Sequence, residues 1–251
     1  LHQAIGLKAQ AFVSLAALLA GFAAAGQFTT LAEAQLYADE IVYSESSPYQ
    51  RIVITRWKDD LRLFLSNNLQ FSSRDEYRYH EALVHPGLSS LPGARRILVL
   101  GGGDGLAVRE ILKYPQVESV TLVDLDPAMT QLFSTATPMR KLNEDALHSP
   151  KVKVVNADAL QWLEEHDDYF DFIVVDFPDP SNFAIGKLYS SAFYRLLEKH
   201  MTAGALAVVQ STSPLYARRS FWCVVTTLES VGLNVTPYHA LVPSFGEWGF
   251  V

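Results

Sequence analysis

Arg96-Ile-Leu-Val-Leu100-Gly101-Gly-Gly-Asp-Gly105 is the stretch on which the reading of this chain turns. Every residue from Ile97 to Leu100 is apolar, so the segment suits a strand buried on both faces, as in a parallel sheet covered by helices. Three glycines then allow a tight turn and a close backbone approach to a ligand, and a helical pattern begins near Leu106. Taken alone, the loop has an equally good packing explanation, because glycines also end buried strands.

The same alternation continues downstream. Strands are expected at residues 96–100, 119–123, 152–155, 172–175 and 205–209, with helices at 107–113, 128–136, 159–165 and 191–200. Apolar strands separated by helical segments describe an α/β fold: a Rossmann-like, methyltransferase-type parallel sheet with helices on both faces. Ligands of such sheets bind outside the carboxyl ends of the strands, so polar residues there are the ones that carry function. Upstream, alternation and β-branched residues at 50–55, 61–65 and 69–71 predict hairpins. A helix over 75–88 follows, with Tyr79, Ala82 and Leu83 apolar or aromatic and Pro86-Gly87 expected to end it.

The 251 residues, 49% hydrophobic and 12% aromatic, suffice for a full core. With 20 basic against 27 acidic residues the formal charge is -7, and no Lys/Arg cluster exists to track a phosphate backbone, which argues against nucleic acid as a partner. An acidic surface suits a cationic small molecule, although solubility explains such a charge as well. The single cysteine, Cys223, can form no internal disulfide and suits a reducing compartment. Residues 9–28 carry only Gln10, Ser14 and Gln27 as clearly polar side chains, so residues 1–35 are read as an apolar helix. Two readings of it stand: a membrane or interface segment of a longer protein, or an amphipathic packing helix. A signal peptide fits less well, since Lys8 is the one basic residue ahead of the run.

Asp124 follows the second strand of the parallel set, where a carboxylate can accept both ribose hydroxyls of a nucleoside. A dinucleotide fits poorly: G-x-G-x-x-G would put Gly or Ala where Leu106 stands, and Asp104 places negative charge where a pyrophosphate would lie. Asp158 follows the next strand, placed either to contact an adenine amino group or to cap the following helix. Phe172-Ile-Val-Val-Asp176-Phe-Pro-Asp179-Pro180 then ends a strand with two carboxylates, and its prolines keep the segment from becoming helix, so both acids can face one cleft. A primary amine with a pKa of ~10.4 must lose a proton before it attacks, which at pH 7 costs about 4.6 kcal/mol. A carboxylate in a partly desolvated, multiply acidic pocket is raised toward the range useful for a base, and the same charges attract a cation. Asp176 is the candidate base, with Asp179 orienting ammonium ends and Tyr79 assisting through its hydroxyl.

Six segments in order resemble the motifs of spermidine synthases, the polyamine aminopropyltransferase family: Tyr49-Gln50, Asp75-Glu-Tyr-Arg-Tyr79-His80-Glu81, Gly101-Gly-Gly-Asp-Gly105, Val123-Asp124-Leu-Asp126, Ala157-Asp158-Ala159 and Asp176-Phe-Pro-Asp179-Pro180. The resemblance covers residues 43–251 and implies a small β-domain at 36–74 ahead of a Rossmann-like catalytic domain at 75–251. It implies decarboxylated S-adenosylmethionine as a nucleoside sulfonium co-substrate, a polyamine acceptor, methylthioadenosine as by-product, no tightly bound cofactor and no metal. Carried over, Gln50, Gly101, Gly103, Asp124, Asp158 and Ala159 would hold the donor nucleoside, and Asp104 with Asp176 its ammonium. Tyr79, His80, Asp104, Asp176, Asp179 and Phe245 would border the acceptor, and Asp176 would take its proton. A homodimer is also implied, as is a subgroup with membrane segments ahead of the catalytic domain, which would place that domain in the cytoplasm at the inner face of a membrane.

The chain departs from the family at two places. Phe245, in Val242-Pro-Ser-Phe245-Gly-Glu-Trp248, stands where many members have tyrosine, and the loop 181–189 lacks the usual Gly-Pro stretch. Both bear on the acceptor side. The rival readings are a methyltransferase using intact S-adenosylmethionine, whose carboxylate Asp104 and Asp176 would repel, and a non-catalytic polyamine or nucleoside binding module.

Overall fold

The computed structural model describes residues 6, 10–23, 35–180 and 183–251. The first sheet is antiparallel, its strands β1 (Glu40–Ser46), β2 (Arg51–Trp57), β3 (Asp60–Leu65) and β4 (Asn68–Ser72) paired in sequential order. Turns between β2 and β3 and between β3 and β4 place Lys58, Ser66 and Asn67 at positive φ, the geometry that matches strand twist in a tight hairpin. β1 was not among the expected strands: it lies at the sheet edge, and its residues alternate only between exposed and half-buried.

The second sheet is parallel and consists of β5 (Arg96–Gly101), β6 (Ser119–Asp124), β7 (Val152–Asn156), β8 (Phe170–Asp176) and β9 (Met201–Val209), in the order β7-β6-β5-β8-β9. The continuous apolar run of β5 is needed because Ile97 and Val99 enter one core with Phe172 and Val174, while Leu98 and Leu100 enter the other with Ile173 and Val175. Burying a side chain of this size stabilises the fold by about 1.5–3 kcal/mol. The chain leaves β5 toward β6 and β7, then returns to add β8 on the other side of β5. The crevice at this reversal, above the carboxyl ends of β5 and β8, is where such sheets bind ligands.

The elements beyond the expected set include the helix Arg218–Glu229 and the hairpin β10 (Tyr238–Val242) with β11 (Gly246–Phe250). The hairpin returns to the parallel sheet, where Val209 N donates to Val251 O at 2.8 Å and Val251 N to Val209 O at 3.0 Å. This antiparallel addition pairs with the chain at the carboxyl end of β9.

The helix Glu76–Leu88 buries Glu76, His80, Leu83, Val84 and Leu88, a stripe one helical repeat apart along one face. Pro86 lies inside the helix rather than ending it. Proline has no N–H for the carbonyl four residues back, and that carbonyl, Ala82 O, accepts instead from Tyr238 Oη at 2.8 Å. Gly87 is required because a Cβ there would lie 2.6 Å from the Phe172 ring. Within the apolar segment 1–35, the described residues 10–23 are helical with exposed side chains, and the rest of that expectation falls largely outside the described residues. Among the described residues no helix is long and apolar enough to cross a membrane.

Candidate active site

Strand register sets a row of polar groups along one edge of the parallel sheet. Gly101 stands opposite Asp176, Asp124 opposite Asn156, and Gln210, the first residue after β9, donates its backbone N–H to Val175 O at 3.0 Å. At Gly101 φ is +81° and a Cβ would sit 2.2 Å from the Asp176 carbonyl oxygen, so both the left-handed turn and the contact demand glycine. Gly103 N donates to Asp124 Oδ2 at 2.9 Å, and a Cβ on Gly103 would lie 2.7 Å from that carboxylate. Burial pushes Asp124 up to about 6, against the bonds it accepts from the Asp126 and Gly103 N–H groups. Gly103→Ala is therefore expected to displace the Asp124 carboxylate and, if that carboxylate holds a nucleoside as the resemblance implies, to weaken binding of methylthioadenosine by about tenfold or more, the loss of one to two hydrogen bonds to a charged group. Calorimetric titration with methylthioadenosine measures this, with Tm reporting any wider damage.

Asp126 ties the first sheet to this edge, accepting from Ser47 Oγ at 2.7 Å and Gln50 Nε2 at 2.9 Å while Oδ1 caps the helix Pro127–Thr135 through Ala128 N. Gln50 thus reaches the strand-end row through Asp126. Asp158 uses Oδ1 to accept from Leu160 N and Gln161 N as the cap of the helix Ala159–Glu165, while Lys187 Nζ donates to Oδ2 at 2.6 Å. Burial raises Asp158, but Lys187 and the cap bonds outweigh it and hold the carboxyl below its ordinary range. The capping reading of Asp158 is realised, and the ion pair with Lys187 was not legible beforehand.

Asp176 and Tyr79 meet although 97 residues separate them: Tyr79 Oη donates to Asp176 Oδ1 at 2.5 Å. Burial is the main reason that Asp176 is pushed up to about 6; Asp104 adds to the rise, while His80 and the Tyr79 bond oppose it. Asp104 is raised mainly by burial, with His80 and its bond from Leu106 N opposing. Tyr79 is held well above the usual phenol range by burial and by Asp176. Burial works against a charge on His80, yet Glu76, Asp104 and Asp176 hold it above the usual imidazole range. His80 Nδ1 lies 2.8 Å from both Glu76 O and Glu76 Oε2, so this nitrogen carries the proton.

Asp179 Oδ1 accepts from Gln210 Nε2 at 3.3 Å. Phe245 sets its ring edge-on to Tyr79, centroids 6.3 Å apart, and tilted against Trp248 at 5.3 Å, on a segment pinned by Ser244, whose N and Oγ donate to Asp75 at 2.6 and 2.8 Å. Gln210, Tyr189 and Trp248 were not singled out in the sequence, although Gln210 follows an apolar strand just as Asp124 and Asp176 do. In the loop 181–189, residues 181–182 lie outside the described residues; Phe183–Gly186 is helical and Lys187–Tyr189 forms a 3-10 turn.

Beneath the acids, Arg109 bonds Glu76 through both carboxylate oxygens at 2.8 and 3.0 Å, and Glu110 at 2.9 Å. Glu81, His85 and Glu110 also bring ligand-type atoms within 4.8 Å of one another. Within this group Glu110 already holds Arg109, Lys113 and His85. An open groove of about 700 Å³ runs beside them along Tyr77, Arg78, Glu81 and Leu241.

Residues 76–251 match the family model described as the spermine/spermidine synthase domain. The chain is 66% identical over 236 residues to polyamine aminopropyltransferase 2 of Ralstonia nicotianae, an alignment covering 94% of this chain and 46% of that protein. It is 56% identical over 245 residues to the polyamine aminopropyltransferase of Leptospira interrogans, covering 98% of this chain and 49% of that one. The chain thus spans about half the length of the curated relatives it matches. Its fold superimposes on a spermidine synthase solved in complex with the transition-state analogue AdoDATO with a TM-score of 0.77 at 24% identity, covering 84% of this chain and 72% of that one. The spermidine synthase of Thermotoga maritima gives a TM-score of 0.77 at 23% identity, covering 84% and 71%. At these identities the two structures bear on the fold alone.

Proposed function

The chain belongs to the spermine/spermidine synthase domain family, and from that premise we propose that it transfers the aminopropyl group of decarboxylated S-adenosylmethionine to a putrescine-like polyamine. The products are a spermidine-like amine and methylthioadenosine. One observation carries the reading: Asp176, bonded to Tyr79 and raised to about 6, shares its surroundings with Asp104 and His80 at the mouth of the glycine loop.

In this mechanism the amine nitrogen attacks the propyl carbon bonded to the sulfonium, the carbon–sulfur bond breaks, and its electrons return to sulfur. A neutral thioether leaves, so no acid is needed on the donor side. The proton lost by the amine goes to Asp176. Tyr79 occupies Oδ1, and Oδ2, which lies beside Gly102, is the oxygen left for the amine. The cationic donor itself restores the charged form of Asp176, because a nearby positive charge favours a carboxylate. Asp124 and Asp158 take the nucleoside, with Gln50 acting through Asp126, while His80, Asp179 and Phe245 border the acceptor. The domain division at 36–74 and 75–251, homodimer formation and attachment to the inner face of a membrane through residues 1–35 belong to the same proposal.

Mass spectrometry of products formed from decarboxylated and from intact S-adenosylmethionine, each with a panel of di- and triamines, tests the reading. Aminopropylated amine with methylthioadenosine is expected. Methylated amine from the intact donor would overturn it in favour of a methyltransferase, and tight binding without turnover would leave a binding module. Phe245→Tyr returns a hydroxyl beside the Tyr79 ring and is expected to change the relative kcat/KM of diamines of different length by about three- to tenfold, the scale of one hydrogen bond. Donor KM should stay within about twofold, well under that scale; unchanged ratios across the panel would contradict the prediction.

A further inference from the structure

We propose that Trp248 is a positioning residue for the acceptor-side carboxylate Asp179, acting through the side-chain amide of Gln210. The inference rests on the functional reading above for what Asp179 does, and on geometry for how it is held.

Gln210 is 2% exposed, so its amide must find all its partners within the protein. Its Oε1 accepts from Trp248 Nε1 at 3.1 Å and from Thr212 N at 3.2 Å. Its Nε2 lies within bonding reach of three acceptors, Phe177 O, Tyr189 Oη at 2.9 Å and Asp179 Oδ1 at 3.3 Å, so one of its two N–H groups is shared between acceptors. Indole and backbone N–H groups are donors only. A flipped amide would turn its NH2 against both of them and leave Asp179, Phe177 O and Tyr189 facing an oxygen. The two N–H groups therefore fix which end of Gln210 faces Asp179.

Trp248 reaches this position because β11 is tied to the segment after β9. Ser211 N donates to Gly249 O at 2.9 Å and Gly249 N to Thr212 O at 2.7 Å. Thr212 is buried and β-branched, yet has φ +56°. Such backbone persists only where the surroundings over-determine it, and here it aims the Thr212 N–H at Oε1. Tyr189 adds the other end: its Oη donates to Phe177 O and Pro178 O at 3.2 and 3.3 Å, so Gln210 grips the whole Phe177-Pro178-Asp179 turn.

The indole also packs 6.4 Å from Tyr79, so the test must separate its N–H from its ring. Replacing Trp248 with β-(3-benzothienyl)alanine keeps the bicycle and substitutes sulfur for the N–H. Acceptor KM is expected to rise about tenfold, the scale of one buried hydrogen bond, with donor KM and Tm close to those of the unmodified chain. Gln210→Met should give a similar loss, and the combination little more than either alone, because both act through one amide. The Gln210 side-chain NH2 resonances, slow to exchange in the unmodified chain, should exchange faster once the indole N–H is gone. Unchanged acceptor KM with unchanged exchange, or losses that simply add, would overturn the relay. Failure of the functional reading looks different: the unmodified chain would transfer no aminopropyl group, while the exchange measurement would still report on the amide.

Discussion

Asp176→Asn is expected to lower kcat by about 10²–10⁴-fold, the range for removing a general base. Methylthioadenosine binding should change far less, since Asp124 and Asp158 are untouched. Asparagine keeps an oxygen for the Tyr79 hydroxyl, so the variant removes the proton acceptor without removing the bond that orients it. Single-turnover kinetics with a saturating donor measures the loss, and near-normal turnover would sink Asp176 as the base. The same substitution should make the protein more stable at pH 8. Asp176 and Asp124 rise from 3.8 to about 6 on folding, so the folded state binds protons more tightly than the unfolded one. Their stabilising contribution is complete below about 3.8 and is lost as pH climbs through about 6. Two units correspond to roughly 3 kcal/mol at neutral pH as a ceiling for Asp176. Part of that is offset because His80 loses the charge that helps to hold it above its ordinary range. Thermal melts should show Asp176→Asn several degrees above the unmodified chain at pH 8 and level with it near pH 4.

The opposite signs of those two effects explain which features were legible in the sequence. The strands of the parallel sheet could be read because residues such as Leu98 and Val99 face two separate cores, and only apolar side chains serve both. Asp124 and Asp176 could be read because a carboxylate at the end of such a strand has no packing purpose. The hairpin β10–β11 could not, because its residues are largely half-buried or exposed and no clean apolar alternation marks it, although Phe250 enters the core and backbone bonds tie its end to the segment after β9. The Tyr79–Asp176 bond joins residues 97 apart, and no local pattern encodes that distance. Pro86 misled in an instructive way: the helix runs through it because a residue 152 positions later, Tyr238, satisfies the carbonyl that proline frees. Gln210 was within reach of the strand-end rule, and its neutrality hid it.

Arg109→Leu is expected to destabilise the fold by about 3–5 kcal/mol, the cost of leaving buried charges without their partner. Arg109 is 8% exposed, Glu76 3% and Glu110 0%, so water cannot replace the guanidinium. Glu110 would keep Lys113 and His85, whereas Glu76 would keep only His80. Tm should fall by on the order of 10 °C in a chain of this length. Adding Glu76→Gln should recover part of the loss, since the amide removes the stranded charge; a double variant as unstable as the sum of both would refute the pairing. The pH dependence runs against that of Asp176→Asn. Burial raises Glu76 and Glu110, but their cationic partners outweigh it and hold both below the ordinary glutamate value of 4.5. Their contribution is present above that value and lost as pH falls, so the gap between Arg109→Leu and the unmodified chain should be widest near neutrality and narrow in acid. Because Glu76 also holds His80 Nδ1, losing Arg109 should lower kcat as well, through a histidine no longer fixed beside Asp176.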